Sequence, residues 1–445
     1  MNTPIADFVR HYAASDTVRL HMPGHKGRAF LGCEPFDLTE IAGADSLYEA
    51  SGIIAQSEAH AAQLFGTART LYSTEGSSQC IRAMLYLCVN RCRTGAKPVI
   101  VAARNVHKAF VFACALLDFE IVWLWPENPS SLCACEVSPA ALEATLNSLS
   151  EPPATVYITS PDYLGGMADV RALADVCHAH GTLLAVDNAH GAHLRFLSPS
   201  LHPMDLGADI CCDSAHKTLG VLTGGAYLHI GKAAPEAFSA QARQALALFG
   251  STSPSYLTLM SLDLCNAQLA GDYSARLSDM ALRMDALRHR LCENGWRVLP
   301  SDPLKLTLDA CAAGTTGTAL AQKLREHRIE CEFADPETLV LMLTPENTEE
   351  DLARLEHALG RIEAAARPWP DLPAAKGRRA MSVREAMFAP HEAIPTEEAL
   401  GRICGAPTVA CPPAIPIAVS GEEITVEALK LFRHYGVDEV DVIKE

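Results

Sequence analysis

The sequence lacks the segments that place a protein in or across a membrane. No apolar run reaches the roughly 18 residues that suggest a membrane-spanning helix. The N-terminus, MNTPIADFVRHYAAS, has neither the apolar core nor the cleavage site of a secretory signal. These absences predict a cytoplasmic protein with no membrane partner.

Basic charge is also scarce, since the chain has 36 Lys and Arg residues against 53 Asp and Glu residues and the net charge is -17. Nucleic-acid binding needs a basic face, so this balance argues against that class of protein.

Paired CxxC sets with zinc-site spacing are absent, although the chain contains 16 cysteines. The cysteines are scattered in mostly apolar surroundings, as in CIRAMLYLCVNRC and DICCDS. We interpret them as free thiols that pack as small apolar side chains in a reducing compartment. Cys133 and Cys135 form a lone CxC, which is a weak signal for a soft metal, so we predict no metal site.

The apolar pattern predicts an α/β protein. Between about residues 71 and 230, helical stretches alternate with short β-branched runs: PVIVAA, EIVWLW, TVYITS, TLLAVD and DICCDS. This alternation is typical of a mainly parallel sheet covered by helices on both faces. In such sheets, ligands bind beyond the carboxyl ends of the strands. Polar residues that directly follow these runs are therefore the candidates for a functional site.

Length and pattern predict four parts. We expect an N-terminal segment (1–70), a large domain (71–295), a small α/β domain (296–368) and a C-terminal α+β domain (369–445). The large domain ends in a predicted long amphipathic helix, YSARLSDMALRMDALRHRLCENGW. The proline-rich segment ARPWPDLPAAKG is typical of a linker.

Two groups of candidates follow early strands. Gly76, Ser77 and Ser78 lead into a helix, whose unpaired N–H groups and positive dipole end suit a phosphate. The alternative is a plain N-cap, since serine is a favoured capping residue. His107 follows PVIVAA, where an imidazole can stack on a flat ring or belong to an ordinary loop.

Two further groups follow later strands. Asp187 ends TLLAVD, and a buried carboxylate is costly unless it meets a positive partner such as a protonated pyridine nitrogen. A capping or turn-forming role is the alternative. Ser214, His216 and Lys217 follow DICCDS. A phosphate cradle, an imidazole, a carboxylate and a lysine at one sheet edge are the parts that hold pyridoxal 5'-phosphate (PLP).

The sequence resembles the Orn/Lys/Arg decarboxylases, which are fold-type I PLP enzymes. The resemblance spans nearly the whole chain and rests on MPGHKGR (22–28), FDLTEI (36–41), NVHKA (105–109), TSPDYLGG (159–166), VDNAHGAH (186–193), DSAHKTLG (213–220), STSPSY (251–256), MSVREAMFA (381–389), and CPPAIPI (411–417) followed by GEE. It implies an aspartate aminotransferase-like large domain and PLP as cofactor. It also implies a homodimer whose STSPSY loops reach the neighbouring active sites. The length fits the short members, which have no N-terminal receiver-like domain.

The resemblance implies individual roles. Lys217 corresponds to the lysine that forms the Schiff base, Asp187 to the partner of the ring nitrogen, and His216 to a residue that assists proton transfer or touches the phosphate. The other cofactor contacts that it implies are His107 stacked on the ring, Ala189 under the other face, His190 near the 3-hydroxyl, and Ser77, Ser78 and Ser214 at the phosphate.

Two segments depart from the family pattern. Family members usually continue the phosphate loop as G-S-T-x-G-N, whereas this chain has GSSQCI, with Cys80 and Ile81 in place of the glycine and the asparagine. AGADSLY (42–48) replaces a His-rich version of that segment. The first departure leaves the shape of the loop open, and the second leaves the substrate open.

The predicted reaction is PLP-dependent decarboxylation of arginine, lysine or ornithine, which releases CO2 and agmatine, cadaverine or putrescine as polyamine precursors. Asp45, Glu422 and Glu423 are candidates for binding the distal cationic group. One alternative is another fold-type I activity, such as a lyase or an aminotransferase in which Arg384 would bind the α-carboxylate. The other alternative is a non-catalytic PLP-binding relative.

Overall fold

The computed structural model describes residues 1–91, 97–126, 131–362, 365–408 and 415–444. The strands are β1 (Arg69–Ser73), β2 (Val99–Ala103), β3 (Glu120–Leu124), β4 (Thr155–Thr159), β5 (Leu184–Asp187), β6 (Ile210–Asp213), β7 (Ala226–Ile230), β8 (Val298–Leu299), β9 (Lys305–Asp309), β10 (Phe333–Ala334), β11 (Thr338–Met342), β12 (His391–Pro395) and β13 (Glu439–Ile443). The α-helices are α1 (Pro4–Ala13), α2 (Ile53–Phe65), α3 (Ser77–Arg91), α4 (Lys108–Leu117), α5 (Pro139–Ser148), α6 (Val170–Ala179), α7 (Ala215–Thr218), α8 (Glu236–Leu248), α9 (Tyr256–Leu269), α10 (Tyr273–Glu293), α11 (Gly317–Glu326), α12 (Glu349–Leu359), α13 (Val383–Phe388) and α14 (Val426–His434).

The largest sheet has the strand order β1-β7-β6-β5-β4-β2-β3. β5 and β6 run parallel, whereas β7 runs antiparallel to both of its neighbours, β6 and β1. The sheet is mixed, with mostly parallel strands. β4, β5 and β6 are buried along their whole length, as expected for strands covered on both faces. The five runs predicted as strands are β2 to β6, which confirms the α/β class, while β1 and β7 were not predicted.

Two smaller sheets follow the long helix α10, which was predicted from its amphipathic pattern. The first has the order β10-β11-β9-β8, and each neighbouring pair is antiparallel. The second pairs β12 with β13 in antiparallel register, from His391 opposite Ile443 to Pro395 opposite Glu439. The first four residues of the predicted proline cluster 411–417 lie outside the described residues.

The chain divides into two compact units. The first comprises Met1–Ile100, Leu146–Ile158 and Val170–Ser274, and the second comprises Val101–Thr145, Thr159–Asp169 and Ala275–Glu445. The four-part division expected from the sequence stays a prediction, because this division into two units does not test it. No helix within the described ranges is long and apolar enough to cross a membrane.

The described cysteines carry free thiols, and most of them are buried. Burial raises the pKa of the Cys135 thiol to about 11, so this side chain stays protonated at neutral pH. Its Sγ donates to the carbonyl of Leu124 at 3.8 Å. In the CxC pair both Cys133 and Cys135 are buried, and they pack as small apolar side chains.

A buried ion pair in the second unit joins the end of β2 to the C-terminal segment. Arg104 is fully buried and donates to both carboxylate oxygens of Glu422, each at 2.7 Å. The rings of Trp123 and Trp125 lie on the guanidinium, with each centroid 4.6 Å from its central carbon. Glu422 also accepts the backbone N–H of Val419 at 2.9 Å. A planar, bidentate and stacking cation is what arginine supplies and lysine cannot.

Glu422→Gln is expected to lower the free energy of unfolding by about 3–5 kcal/mol, because it leaves the buried charge of Arg104 uncompensated. Urea unfolding of the apoprotein measures this loss. Glu423→Gln is the matched control, since Glu423 is partly exposed and pairs with exposed Arg378 at 3.0 Å. Its loss is expected to be much smaller. Equal losses in the two variants would contradict the structural role of Glu422.

Candidate active site

An open cradle lies at the N-terminus of α3 in the first unit. Gly76 has φ +72°, and a Cβ built on it meets no atom within 4 Å. Its N–H donates to the carbonyl of Gly224 at 2.7 Å. Ser77 and Ser78 begin the helix, and the Ser214 hydroxyl donates to the Ser77 hydroxyl at 2.8 Å. Hydroxyls and free backbone N–H groups thus meet at the positive end of a 15-residue helix, which suits an anion.

The residues that depart from the family pattern lie in the first turns of α3. Cys80 and Ile81 are fully buried in the core. Between the two serines and these residues, Gln79 fixes the start of the helix: its Oε1 accepts the hydroxyl of Ser73 at 2.5 Å, and its Nε2 donates to the hydroxyl of Tyr48 at 2.8 Å. The substitutions therefore change the packing of the helix and leave the N–H groups at its start available. Sequence reasoning missed Gln79, because its partner Tyr48 lies in a distant segment.

Asp187 ends β5 and is almost fully buried. Its Oδ2 accepts the Tyr157 hydroxyl at 3.1 Å, and its Oδ1 accepts the N–H of Ala189 at 3.2 Å. Burial, with the charge of Asp187 as a further cause, raises the pKa of Tyr157 well above its ordinary value, so the phenol remains a donor. Within the described ranges, no cationic side chain forms an ion pair with Asp187. A buried carboxylate held only by neutral donors suits a cationic ligand.

Lys217 lies in α7, directly beyond the end of β6. Its Nζ lies 3.0 Å from Nε2 of His190, which is almost fully buried. Next to Lys217, the Nδ1 of His216 donates to the carbonyl of Gly225 at 3.0 Å. Burial lowers the pKa of His216, and the charge of Lys217 acts in the same direction. At neutral pH the ring therefore carries its proton on Nδ1 and its lone pair on Nε2.

The first unit brings the predicted residues into three contacts. Ser77 contacts Ser214, Asp187 contacts Ala189, and His190 contacts Lys217. Ser78 adjoins the first contact in sequence, and His216 adjoins the third.

His107 lies in the second unit, at the carboxyl end of β2, where it caps α4. Its Nδ1 accepts the N–H of Ala109 at 3.1 Å, so the neutral ring carries its proton on Nε2.

Comparison with known proteins identifies the family. The family model described as "Orn/Lys/Arg decarboxylase, major domain" matches residues 3–311. The chain belongs to the Orn/Lys/Arg decarboxylase family. It is a PLP-dependent amino acid decarboxylase with a fold-type I architecture, as the resemblance implied.

Relatives in this family match over most of their lengths. The arginine decarboxylase of Bacillus subtilis (strain 168) is 31% identical over 96% of this chain and 92% of its own. The arginine decarboxylase of Halalkalibacterium halodurans is 30% identical over 97% of this chain and 93% of its own. The crystal structure of the Francisella novicida lysine decarboxylase matches with a TM-score of 0.81 at 16% identity, over 99% of this chain and 81% of its own.

The acidic residues considered for the distal group of the substrate are engaged within the decarboxylase chain. Asp45 accepts the N–H groups of Gly52 at 2.8 Å and Ile54 at 3.0 Å, which lie at the start of α2. Glu422 has both oxygens in its ion pair with arginine, and Glu423 pairs with an exposed arginine. These contacts give each carboxylate a structural partner.

Arg384, considered as an α-carboxylate ligand for the aminotransferase alternative, is engaged in the same way. Its guanidinium donates to the carbonyl of Ala115 at 2.7 Å and lies 5.2 Å from the ring centroid of Phe388. It therefore attaches α13 to the end of α4 within the second unit. This position gives no support to a carboxylate-binding role.

The TSPDYLGG loop of the decarboxylase carries a buried carboxylate at the end of β4. The Oδ1 of Asp162 accepts the N–H of Gly166 at 2.8 Å. Buried Lys305 holds the same loop, because its Nζ donates to the carbonyls of Asp162 at 3.0 Å and Tyr163 at 3.3 Å. Burial raises the pKa of Asp162 to about 6, although the Gly166 N–H and the charge of Lys305 oppose this shift. The sequence motif indicates this loop but gives no signal for Lys305, which lies 143 residues from Asp162.

The raised pKa of Asp162 predicts a pH-dependent stability. Its folded pKa of about 6 lies above the ordinary unfolded value, so its stabilising effect is complete below about pH 4 and is lost as the pH rises through about 6. Relative to Asp162→Asn, the wild type should lose roughly 3 kcal/mol between about pH 4 and pH 7. The Asn variant keeps the Oδ1 acceptor for Gly166. Urea unfolding of both proteins across this range measures the difference, and a difference that does not change with pH would exclude the raised pKa.

Proposed function

We propose that this decarboxylase converts arginine to agmatine and CO2, with PLP attached at Lys217. The observation that carries the proposal is the position of the Lys217 amine. It follows β6 three residues after Ser214, whose hydroxyl contacts Ser77 at the start of α3. A lysine on the same turn as a residue of an anion cradle is the arrangement that covalently held PLP requires.

The residues of the first unit fit the cofactor. The open space at Gly76 and the N-terminus of α3 suit its phosphate. The carboxylate of Asp187, which forms no ion pair with any residue that the structure describes, suits its protonated ring nitrogen. The remaining contacts that we assign within this unit are Ser77, Ser78, Ser214 and His216 around the phosphate, Ala189 on one face of the ring, and His190 near the 3-hydroxyl.

Bound PLP supplies an electron sink for the pair left when the carboxylate departs. Asp187, oriented by the Tyr157 hydroxyl, keeps the ring nitrogen protonated. A proton must then reach the substrate Cα, and His216 and Lys217 are the two candidates. The lowered pKa of His216 leaves its Nε2 as an acceptor, while its Nδ1 proton is held by Gly225. Lys217 is therefore the favoured donor of the two.

The names of the relatives support arginine as the substrate. Two relatives that cover over 90% of this chain, and over 90% of their own, are named arginine decarboxylase. Polyamine precursor synthesis is the process that the product would serve.

We also propose a cytoplasmic homodimer. In support, residues 251–253 of the STSPSY loop are exposed, while Tyr256 at its end is buried and donates to the carbonyl of Asp45 at 2.7 Å.

An assay of radiolabelled CO2 release from arginine, lysine and ornithine tests the substrate. Arginine should give the largest kcat/KM, with agmatine as the amine product in chromatography. Preference for lysine or ornithine would overturn the substrate and leave the reaction class standing. A keto acid without CO2 would support the aminotransferase alternative. Bound PLP without CO2 from any of the three would support the non-catalytic alternative.

Lys217→Ala should remove the visible absorbance of lysine-bound PLP and lower CO2 release by more than about 100-fold, since it removes both the attachment point and a proton donor. Lys232→Ala is the matched control, because Lys232 is an exposed lysine of the same unit. It should retain both properties. A yellow, active Lys217→Ala protein would contradict the central assignment.

A further inference from the structure

A buried hydrogen-bonded network lies behind the turn that carries Asp187, within the first unit. At its centre is Asp213, the last residue of β6. Its Oδ2 accepts Nε2–H of His202 at 3.0 Å and of His229 at 3.1 Å. Its Oδ1 accepts the side-chain amide of Asn188 at 2.7 Å. All four side chains belong to residues with 0% exposure, so water does not compete for these contacts.

Each histidine presents Nε2 to the carboxylate of Asp213. Nδ1 of His202 accepts the N–H of Met204 at 3.3 Å, so its ring proton lies on Nε2. Nδ1 of His229 lies 2.8 Å from the hydroxyl of Thr70. Burial lowers the pKa of His229 and keeps the ring neutral. Burial alone would raise the pKa of Asp213, but the two histidines bring it below its ordinary value. Asp213 therefore carries a negative charge at neutral pH.

The network is a hydrogen-bonded cluster and not a metal site. Four atoms of metal-ligand type lie within 4.8 Å of one another, one each from His202, Cys211, Asp213 and His229. However, one oxygen of Asp213 already accepts both histidine protons, and each Nδ1 has its own donor or hydroxyl partner. Burial raises the pKa of the Cys211 thiol well above its ordinary value, so this residue offers no thiolate.

Asn188 connects the network to the active-site turn. Its backbone N–H donates to the carbonyl of Cys212 at 3.0 Å, and its carbonyl accepts the N–H of Gly191 at 2.8 Å. A Cβ built on Gly191 would lie only 2.0 Å from Oδ1 of Asn188, so the side chain has room only beside a glycine. Two backbone hydrogen bonds thus hold the peptide units on both sides of Asn188, and a third joins its side chain to Asp213.

We propose that Asp213 is a positioning residue for the cofactor, acting through Asn188. Its bond to Asn188 fixes the Asp187 carboxylate relative to Ser214 and Lys217, which follow Asp213 directly in the chain. The cofactor is then held with its ring nitrogen at Asp187 and its phosphate at Ser214. This inference rests on PLP binding at Lys217 and is independent of which amino acid is decarboxylated.

An exchange of side chains tests the proposal. Asp213→Asn leaves an amide nitrogen facing the amide nitrogen of Asn188, and Asn188→Asp leaves two facing carboxylates. The double variant, Asn188→Asp with Asp213→Asn, restores a donor–acceptor pair, because Oδ1 of the new amide can serve both histidines while its nitrogen donates to the new carboxylate. Each single change should weaken PLP binding by about 10- to 100-fold, as does loss of a hydrogen bond that orients a ligand-binding residue. The double variant should return to within about threefold of the wild type.

The measurements are the visible absorbance of each apoprotein titrated with PLP and the melting temperature of each apoprotein. Thr182→Val is the control for stability, since it removes a buried hydrogen bond of 2.9 Å to the carbonyl of Pro153 at the amino end of β5. It should lower the melting temperature without changing PLP affinity.

Wild-type PLP affinity in Asp213→Asn, or a folded double variant that stays as weak as the single ones, would overturn the inference. Weakened PLP binding in Thr182→Val would do the same, because loss of stability alone would then explain the effect. A wild-type apoprotein that does not bind PLP would instead overturn the proposed function. The two failures are therefore distinguishable.

Discussion

The register between β5 and β6 is the constraint on which the active site depends. The two strands run parallel with Asp187 opposite Cys212, so their carboxyl ends emerge at the same edge of the sheet. Because the ladder continues for one further bond, from the N–H of Asn188 to the carbonyl of Cys212, the turn after β5 is held against the end of β6. A shift of one residue would turn Asp187 to the other face of the sheet and separate it from the Tyr157 hydroxyl on β4.

The antiparallel strand β7 completes this edge. Since β7 runs back along β6, the two glycines before it return to the carboxyl end, where Gly225 accepts from His216 and Gly224 accepts from Gly76. Gly224 has φ +96°, and a Cβ there would lie 2.7 Å from the carbonyl of Thr74, so a larger residue would displace the start of the cradle. One antiparallel strand in a mostly parallel sheet thus joins α7, which carries Lys217, to the turn that leads into α3.

The positions of the site residues were predictable where strand and site are neighbours in sequence. Apolar runs predicted β5 and β6, and Asp187 and Lys217 follow directly from them. The partners of these residues were not predictable, because they come from distant segments. Nothing local indicates that Tyr157 donates to Asp187, or that His202 and His229 meet at Asp213.

The partner of Glu422 was also unpredictable from the sequence. An acidic residue near the end of the chain was a reasonable candidate for a cationic substrate, but a buried arginine 318 positions away occupies both of its oxygens. Sequence pattern reports the chemical type of a side chain and its place on an element. The pattern does not predict which oppositely charged residue pairs with that side chain in the folded protein.

The two buried carboxylates at this edge differ in how their charge is balanced. Asp213 accepts from two histidines and an amide, whereas Asp187 accepts from a phenol, a backbone N–H and a thiol, which is a weak donor. That difference gives a cationic ring nitrogen a reason to bind at Asp187 and not at Asp213, although the two residues end adjacent strands. Bound at Asp187 as proposed, the cofactor would stabilise the fold as well as the reaction, because a ligand that binds only the native state adds to its stability. The Asp187 carboxylate, which is costly to bury in the apoprotein, would then have the cationic ring nitrogen as its partner.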